Sequence, residues 1–255
     1  MAARQTNKEC GGLTMTNLLG EFLGTMVLII FGSGVVANVL LKESKAEGAG
    51  WTAIATGWGF GVILGVFTAI AAGAPQADIN PAVTLAKTLI GVYDVPHAIT
   101  TMFAQLLGGI AGGIVVWLAF LPHWKVTENK GIKLAVFCTA PAIRNTFANL
   151  LSEVIGTIML VFLIFAIFSK PVGGLAPGFG PYLVGIIVWA IGLSLGGATG
   201  YAINPARDLG PRIAHAILPI AGKGDSDWGY AWIPVVAPLI GGVLAFGIAR
   251  GVGFV

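Results

Sequence analysis

The tripeptide Asn-Pro-Ala occurs twice, as Asn80-Pro81-Ala82 and Asn204-Pro205-Ala206, and the second copy runs directly into Arg207 and Asp208. Both copies lie between long apolar stretches, at matching places in the two halves of the chain. Asparagine is a favoured helix N-cap and proline is favoured at the first helical position, so each tripeptide reads as the start of a short helix. Two such starts set face to face would aim two helix dipoles at one point, with about half a positive charge from each. That field opposes a cation stripped of its water and leaves a neutral molecule alone. Arg207 would add a fixed fork of donors for solute oxygens and a further repulsion for cations. An arginine in the first turn of a helix opposes the dipole and is costly inside a membrane, so a functional reading of it outweighs a structural one. The chemistry on offer is recognition and electrostatic exclusion. No nucleophile–base pair or metal-ligand cluster falls within the apolar stretches, and no cofactor is expected.

Positioning these residues requires elements that carry them to the middle of a membrane. Of the 255 residues 56% are hydrophobic and only 10% charged, with a mean hydropathy of +0.88, whereas soluble domains carry about 25% charged residues. The chain therefore reads as an integral membrane protein. Glycine is abundant, at 38 residues, which suits close helix packing through small side chains. A spanning helix takes about 20 apolar residues, and six segments qualify, at roughly 17–41, 51–73, 97–121, 147–169, 180–200 and 229–250. Two shorter apolar pieces follow the tripeptides, at about 81–90 and 205–218. These are too short to cross and read as re-entrant segments, tolerated only where protein buries them or they line a wet cavity.

The halves repeat. Asn17-Leu18-Leu19-Gly20-Glu21-Phe22-Leu23-Gly24-Thr25 matches Asn149-Leu150-Leu151-Ser152-Glu153-Val154-Ile155-Gly156-Thr157, and Ala104-Gln105-Leu106-Leu107-Gly108-Gly109 matches Ala237-Pro238-Leu239-Ile240-Gly241-Gly242. Each half carries three spans and one re-entrant piece, and an odd number of spans turns the second half upside down relative to the first. The expected architecture is therefore all-α: six transmembrane helices plus two re-entrant half-helices in one membrane domain over 1–255, with repeats at about 17–121 and 147–250. Inverted repeats of this kind place a pathway at their interface near the bilayer midplane.

The remaining features exclude more than they assign. A net charge of +3, scattered along the chain, gives no reason to expect nucleic acid. Cys10 and Cys138 form no disulfide framework or metal spacing. His97, His123 and His215 are scattered, and the segment 122–146 reads as a solvated connection. The polar residues before about position 17 read as a short tail. Asp208 and Arg212 sit at helical i,i+4 spacing, worth a few tenths of a kcal/mol as an exposed pair. With a cytoplasmic N-terminus, the inner side carries Arg4, Lys8, Lys87, Lys170 and Arg250. The outer side then carries nine cations, namely Lys42, Lys45, Lys125, Lys130, Lys133, Arg144, Arg207, Arg212 and Lys223, which reverses the positive-inside expectation. Glu21 and Glu153 are acids in mid-span, where function is the default reading, but their symmetric placement argues for a shared scaffold role.

The two Asn-Pro-Ala units, the repeated Glu-x-x-Gly-Thr and the layout of six plus two apolar segments make the chain resemble the major intrinsic proteins (aquaporins and glycerol facilitators) over essentially its whole length, bacterial glycerol facilitators above all. The resemblance implies an aquaporin-like fold and a homotetramer with one pore per subunit, multi-pass in the plasma membrane with cytoplasmic termini. It implies passive diffusion of glycerol and similar small uncharged solutes, with some water. It also implies that Glu21 and Glu153 hydrogen-bond the backbone leading into the re-entrant helices. By the same alignment Trp58, Gly192, Tyr201 and Arg207 form the outer constriction. Water-selective members usually have Phe and His at the positions of Trp58 and Gly192, so Gly192 is expected to open space and the two aromatic rings to face the carbon backbone of a polyol. Arg207 opposite would take its hydroxyls, and Asp208 with Arg212 also follows the facilitator pattern. Two residues depart from that pattern. Asp78, in Pro75-Gln76-Ala77-Asp78, replaces the usual histidine, and three readings stand open for it: an effect on gating, attraction of a cation to a cytoplasmic vestibule, or a plain capped loop. Tyr201 replaces phenylalanine and leaves water, urea, dihydroxyacetone and lactic acid as rival solutes.

Overall fold

The computed structural model describes residues 15–255, and the tail residues Arg4, Lys8 and Cys10 lie outside them. Among the described residues the chain is all helical, with eleven α-helices and no strand. They are α1 (Met15–Leu40), α2 (Trp51–Ala71), α3 (Pro81–Leu89), α4 (Val95–Ala119), α5 (His123–Val126), α6 (Lys130–Phe137), α7 (Thr146–Ile167), α8 (Phe179–Ser194), α9 (Pro205–Ile217), α10 (Trp228–Ala231) and α11 (Ile233–Gly251). Several helix starts are set by side chains. Asp94 Oδ1 accepts from His97 N at 2.8 Å to open α4, and Asn145 Oδ1 accepts from Ala148 N at 3.0 Å to open α7. Each satisfies a backbone donor that the helix itself leaves unpaired.

Five helical stretches are long and apolar enough to cross a membrane: α1, α2, α4, α7 and the run from Trp228 to Gly251. The segment expected to span 180–200 departs from this. Its helix α8 has 16 residues and ends at Ser194. Gly196 and Gly197 follow, and the chain turns there, with Gly200 N donating to Gly196 O at 2.9 Å and Gly200 at φ +82°. A Cβ at Gly196 would stand 2.5 Å from Tyr201 Cδ1. The missing side chain lets the turn fold back under Tyr201, so the last six expected helical residues become the approach to the second re-entrant helix.

The half-helices α3 and α9 are each held by a glycine of the opposite half. A Cβ at Gly109 of α4 would lie 2.6 Å from Ala206 O of α9, and one at Gly242 of α11 would lie 2.8 Å from Ala82 O of α3. Backbone touches backbone at both places. This is what the Gly-Gly element shared by the two halves does structurally.

The segment 122–146 is not a solvated connection. It contains α5 and α6, and Trp124, Lys133, Val136, Phe137 and Cys138 are all buried. The Lys133 ammonium donates to Ala221 O, and the Trp124 ring packs at a tilt against Phe137, with centroids 5.7 Å apart. Its alternation of apolar and basic residues is the signature of short helices with one packed face, which is easily mistaken for a polar loop when the basic residues are counted alone.

Candidate functional site

The two tripeptides meet. Asn80 Oδ1 accepts from Ala82 N at 2.9 Å, while Asn204 Oδ1 accepts from Ala206 N at 3.0 Å and Arg207 N at 3.2 Å, so both asparagines cap their half-helices. Their amide nitrogens cross between the halves. Asn80 Nδ2 donates to Ile203 O at 2.9 Å and Asn204 Nδ2 donates to Ile79 O at 2.8 Å. Each Nδ2 carries two protons, which leaves one N–H of each asparagine for a solute.

The backbone leading into each start is strained in the same way. Ala77 and Ile79 have φ of +44° and +45°, and Tyr201 and Ile203 have φ of +38° and +43°. Left-handed backbone costs about 1–3 kcal/mol per non-glycine residue and persists only where surroundings impose it. The two mid-span acids impose it. Glu21 accepts from Asp78 N and Ile79 N, both at 2.8 Å, and Glu153 accepts from Ala202 N and Ile203 N, both at 2.9 Å. A carboxylate is suited to this because each oxygen takes one N–H of adjacent residues, a bidentate geometry no neutral side chain matches.

Sequence reasoning missed what surrounds Glu21. Gln105, fully buried, donates from Nε2 to Glu21 Oε2 at 2.8 Å and lies 3.0 Å from Thr84 Oγ1. Thr84 Oγ1 in turn donates to Asp78 Oδ2 at 2.9 Å, and Tyr93 OH donates to the same oxygen at 2.8 Å. Lys87 Nζ pairs with Asp78 Oδ1 at 2.5 Å and donates to Gln76 O at 2.9 Å. Burial, with the Asp78 carboxylate beside it, holds the Tyr93 phenol well above its ordinary range, so it stays a donor. The expectation that Asp78 would draw a cation into a vestibule is therefore corrected, because its carboxylate is covered and already neutralised by Lys87. Gln105 could have been found as the one carboxamide in its apolar span, where the matching position of the second half is Pro238. Lys87 carried a weaker signal, a cation in the last turn of a helix.

Three cavities lie end to end along this core. The central one, about 40 Å³, is lined by Asn80, Asn204, Leu28, Val62, Val188 and their neighbours. An outer one of about 140 Å³ is bounded by Trp51, Cys138, Thr139 and Ala140, and an inner one of about 390 Å³ by Gln76, Lys87, Phe168, Phe254 and Val255. The central and outer cavities share Trp58, Tyr201 and Arg207. There the Arg207 guanidinium lies over the Trp58 ring, 3.7 Å from its centroid. This differs from the expected arrangement, in which arginine stood opposite the ring. Gly192 also does not leave an open space: a Cβ there would be 2.8 Å from both Cζ and Oη of Tyr201, so the tyrosine ring already fills the volume. Trp51, which sequence reasoning passed over, donates from Nε1 to Gly192 O at 2.9 Å and meets the Tyr201 ring edge-on at 5.8 Å. The Tyr201 hydroxyl is buried and has no hydrogen-bond partner among the described residues.

Asp208 and Arg212 do not face the cavities. Both side chains are fully buried and pair at 2.8 Å. Asp208 Oδ2 also accepts from Thr139 N at 2.7 Å and Thr139 Oγ1 at 2.6 Å, while Arg212 donates to Ser226 O, Asp227 O and Thr139 O. The pair ties α9 to the loop around Thr139, which walls the outer cavity, and to the loop at Ser226 and Asp227. Lys223 Nζ closes the other end of α9 by donating to His215 O, Ala216 O and Leu218 O at 2.6 to 2.7 Å, a cation at a helix C-terminus. His97, His123 and His215 bond separately to Asn17, Lys42 O and Ser226, and no group of residues suited to a metal ion occurs among the described residues.

Helices that span a membrane, two re-entrant helices capped by asparagine at its middle, and cavities strung through their junction define a polytopic membrane protein of the aquaporin fold. Comparison with known proteins agrees. The Major intrinsic protein family matches residues 12–248, and the chain belongs to that family. It is 54% identical over 230 residues to the probable glycerol uptake facilitator protein of Thermotoga maritima, covering 90% of this chain and 96% of that one. It is 55% identical over 227 residues to glycerol uptake facilitator protein 3 of Lactiplantibacillus plantarum, covering 89% and 92%. The crystal structure of the aquaglyceroporin from Plasmodium falciparum superposes with a TM-score of 0.79 at 28% identity, over 93% of this chain and 96% of that one.

Proposed function

We propose that this protein is a passive channel through which glycerol and other small uncharged solutes, with some water, diffuse across the plasma membrane while ions and protons are excluded. The observation that carries this reading is the junction of Trp58, Tyr201 and Arg207, where a guanidinium with no hydrogen bond to the described residues lies beside aromatic faces. Such a surface binds the oxygens of a polyol on one side and its CH groups on the other. The names of the two bacterial relatives support the same solute. Asn80-Pro81-Ala82 and Asn204-Pro205-Ala206 supply the central cation barrier, Glu21 and Glu153 hold it in shape, and Asp208, through Arg212 and Thr139, fixes the loop beside the outer mouth. The chain works as one domain of two inverted repeats, as a homotetramer with cytoplasmic termini, and carries out no covalent chemistry.

The excess of cations on the opposite face shrinks once those held inside the fold are set aside. Lys133 and Lys223 are spent on backbone carbonyls, Arg212 on a buried carboxylate, and Arg207 on the pore. The unpartnered Tyr201 hydroxyl supports a second reading, in which a solute with a carbonyl acceptor, such as dihydroxyacetone or undissociated lactic acid, passes as well as glycerol. Stopped-flow light scattering on proteoliposomes with water, glycerol, urea, dihydroxyacetone and lactic acid, repeated for Tyr201→Phe, tests both. Glycerol ranking first in both proteins supports the main reading. A dihydroxyacetone or lactic acid preference that disappears in Tyr201→Phe supports the second. Glycerol flux at the level of empty vesicles overturns the proposal.

A further inference from the structure

The central cavity meets its neighbours at two junctions. At the outer one the shared residues include Arg207, and at the inner one they are Asp78, Val83, Ile164 and Val184. Asp78 is thus the single polar residue common to the central and inner cavities. Its own oxygens are occupied. Oδ2 accepts from Thr84 and Tyr93, Oδ1 faces Lys87, and the carboxylate is fully covered. What the inner cavity meets is Lys87, whose side chain is 17% exposed and stands in the cavity wall. An ammonium has three N–H donors and no acceptor. One faces Asp78 Oδ1 at 2.5 Å and one reaches Gln76 O at 2.9 Å.

We propose that Lys87 is a second specificity-determining residue of the channel, binding a hydroxyl oxygen of a neutral polyol in the inner cavity, beside its junction with the central one, through its third N–H, with Asp78 as the residue that positions it. This deepens the reading of the chain as a polyol channel and rests on it. The chemistry follows from the pairing. A lone carboxylate at the junction would hold cations, and a lone ammonium would hold anions. Together they carry no net charge, so an uncharged solute gains a charge-assisted donor without either ion being drawn in. Asp78 is the better anchor because its carboxylate is locked from two further sides, which fixes the ammonium against the cavity instead of letting a flexible stem wander. Sequence position agrees with the geometry: Lys87 lies in the last turn of α3, where the helix dipole also favours a cation.

The rival role is a purely structural clamp between α3 and the segment before it. A variant without charge separates the two. In Asp78→Asn, Thr84 and Tyr93 can turn their hydroxyls to accept from the new amide, so the network survives. Adding Lys87→Met to that background keeps the aliphatic stem and removes the donor. Glycerol and water permeability would be measured on the same proteoliposomes, with water permeability as the count of folded channels. The glycerol-to-water ratio of Asp78→Asn/Lys87→Met is expected to fall about fivefold, the effect of losing one hydrogen bond. Asp78→Asn/Lys87→Gln, which restores an N–H donor, should recover most of that loss. A ratio within about twofold of wild type in the Met variant overturns the proposal, as does an equal loss in the Met and Gln variants. If wild type itself passes no glycerol, the reading of the chain as a polyol channel fails first, and the two failures stay distinct.

Discussion

Replacing Asp208 should loosen the outer mouth by an amount that depends on which oxygen is lost. The wild-type carboxylate faces Arg212 with Oδ1 and Thr139 N and Oγ1 with Oδ2, all at 2.6 to 2.9 Å in a fully buried setting. Asp208→Ala removes the counter-charge of a buried guanidinium, a change that costs about 3–5 kcal/mol. It also strips Thr139 N of its acceptor. Asp208→Asn keeps one carbonyl oxygen, which Arg212 will claim, and turns an N–H toward Thr139 N–H. The Thr139 hydroxyl can rotate to accept, but the backbone donor cannot, so about 1–3 kcal/mol is lost. Thermal unfolding of detergent-solubilised protein, followed by tryptophan fluorescence, should show Asp208→Ala melting on the order of 10 °C below wild type, with Asp208→Asn between the two. Solute ranking per folded channel should be conserved, since Trp58, Tyr201 and Arg207 keep their own contacts. An Asp208→Ala variant melting within about 2 °C of wild type refutes the reasoning. So would equal losses in the two variants, because they would mean the two oxygens do not divide the work as their partners suggest.

Further expectations concern the core of the pathway. Arg207→Ala should admit protons or cations, read as dye-reported proton leak in proteoliposomes, and unchanged leak would count against its role. Glu153→Ala leaves Ala202 N and Ile203 N unpaired in a strained segment, about 1–3 kcal/mol for each donor, and should abolish glycerol flux while lowering the melting temperature. A melting temperature and flux equal to wild type would show that the left-handed backbone holds itself. Gly109→Ala drives a methyl to 2.6 Å from Ala206 O and should sharply reduce the yield of folded protein, whereas Gly34→Ala, with nothing within 4 Å, should express normally. Equal yields from these two variants would contradict the backbone contact between α4 and α9.

Much of the architecture was legible because a few local rules coincide. Asn followed by Pro is read by its own chemistry as a helix start, and the structure places an N-cap at Asn80 and at Asn204. Long apolar runs gave the spans, and the misplaced end of α8 traces to a Gly-Gly pair whose turn depends on where Tyr201 sits. What was hidden depends on contacts between distant residues. No rule of spacing pairs Glu21 with Gln105 across 84 positions, or puts the indole of Trp51 on Gly192 O across 141. The left-handed conformation of Ile79 and Ile203 was also out of reach, because β-branched residues avoid it and only a carboxylate placed by another helix enforces it. Charge counting is blind to packing for a related reason. It treats Lys133, Lys223 and Arg212 as solvated when each is spent inside the fold.

The central claim is that solute moves through the Trp58–Tyr201–Arg207 junction down its own gradient alone. Glycerol flux into proteoliposomes containing purified protein, measured over a range of gradients with and without ionophores that abolish proton and sodium gradients, tests it most directly. The account predicts a rate that rises in proportion to the glycerol gradient and is the same in all ionic conditions. Uphill accumulation of glycerol driven by an imposed proton or sodium gradient, and lost when the ionophore is added, would contradict it.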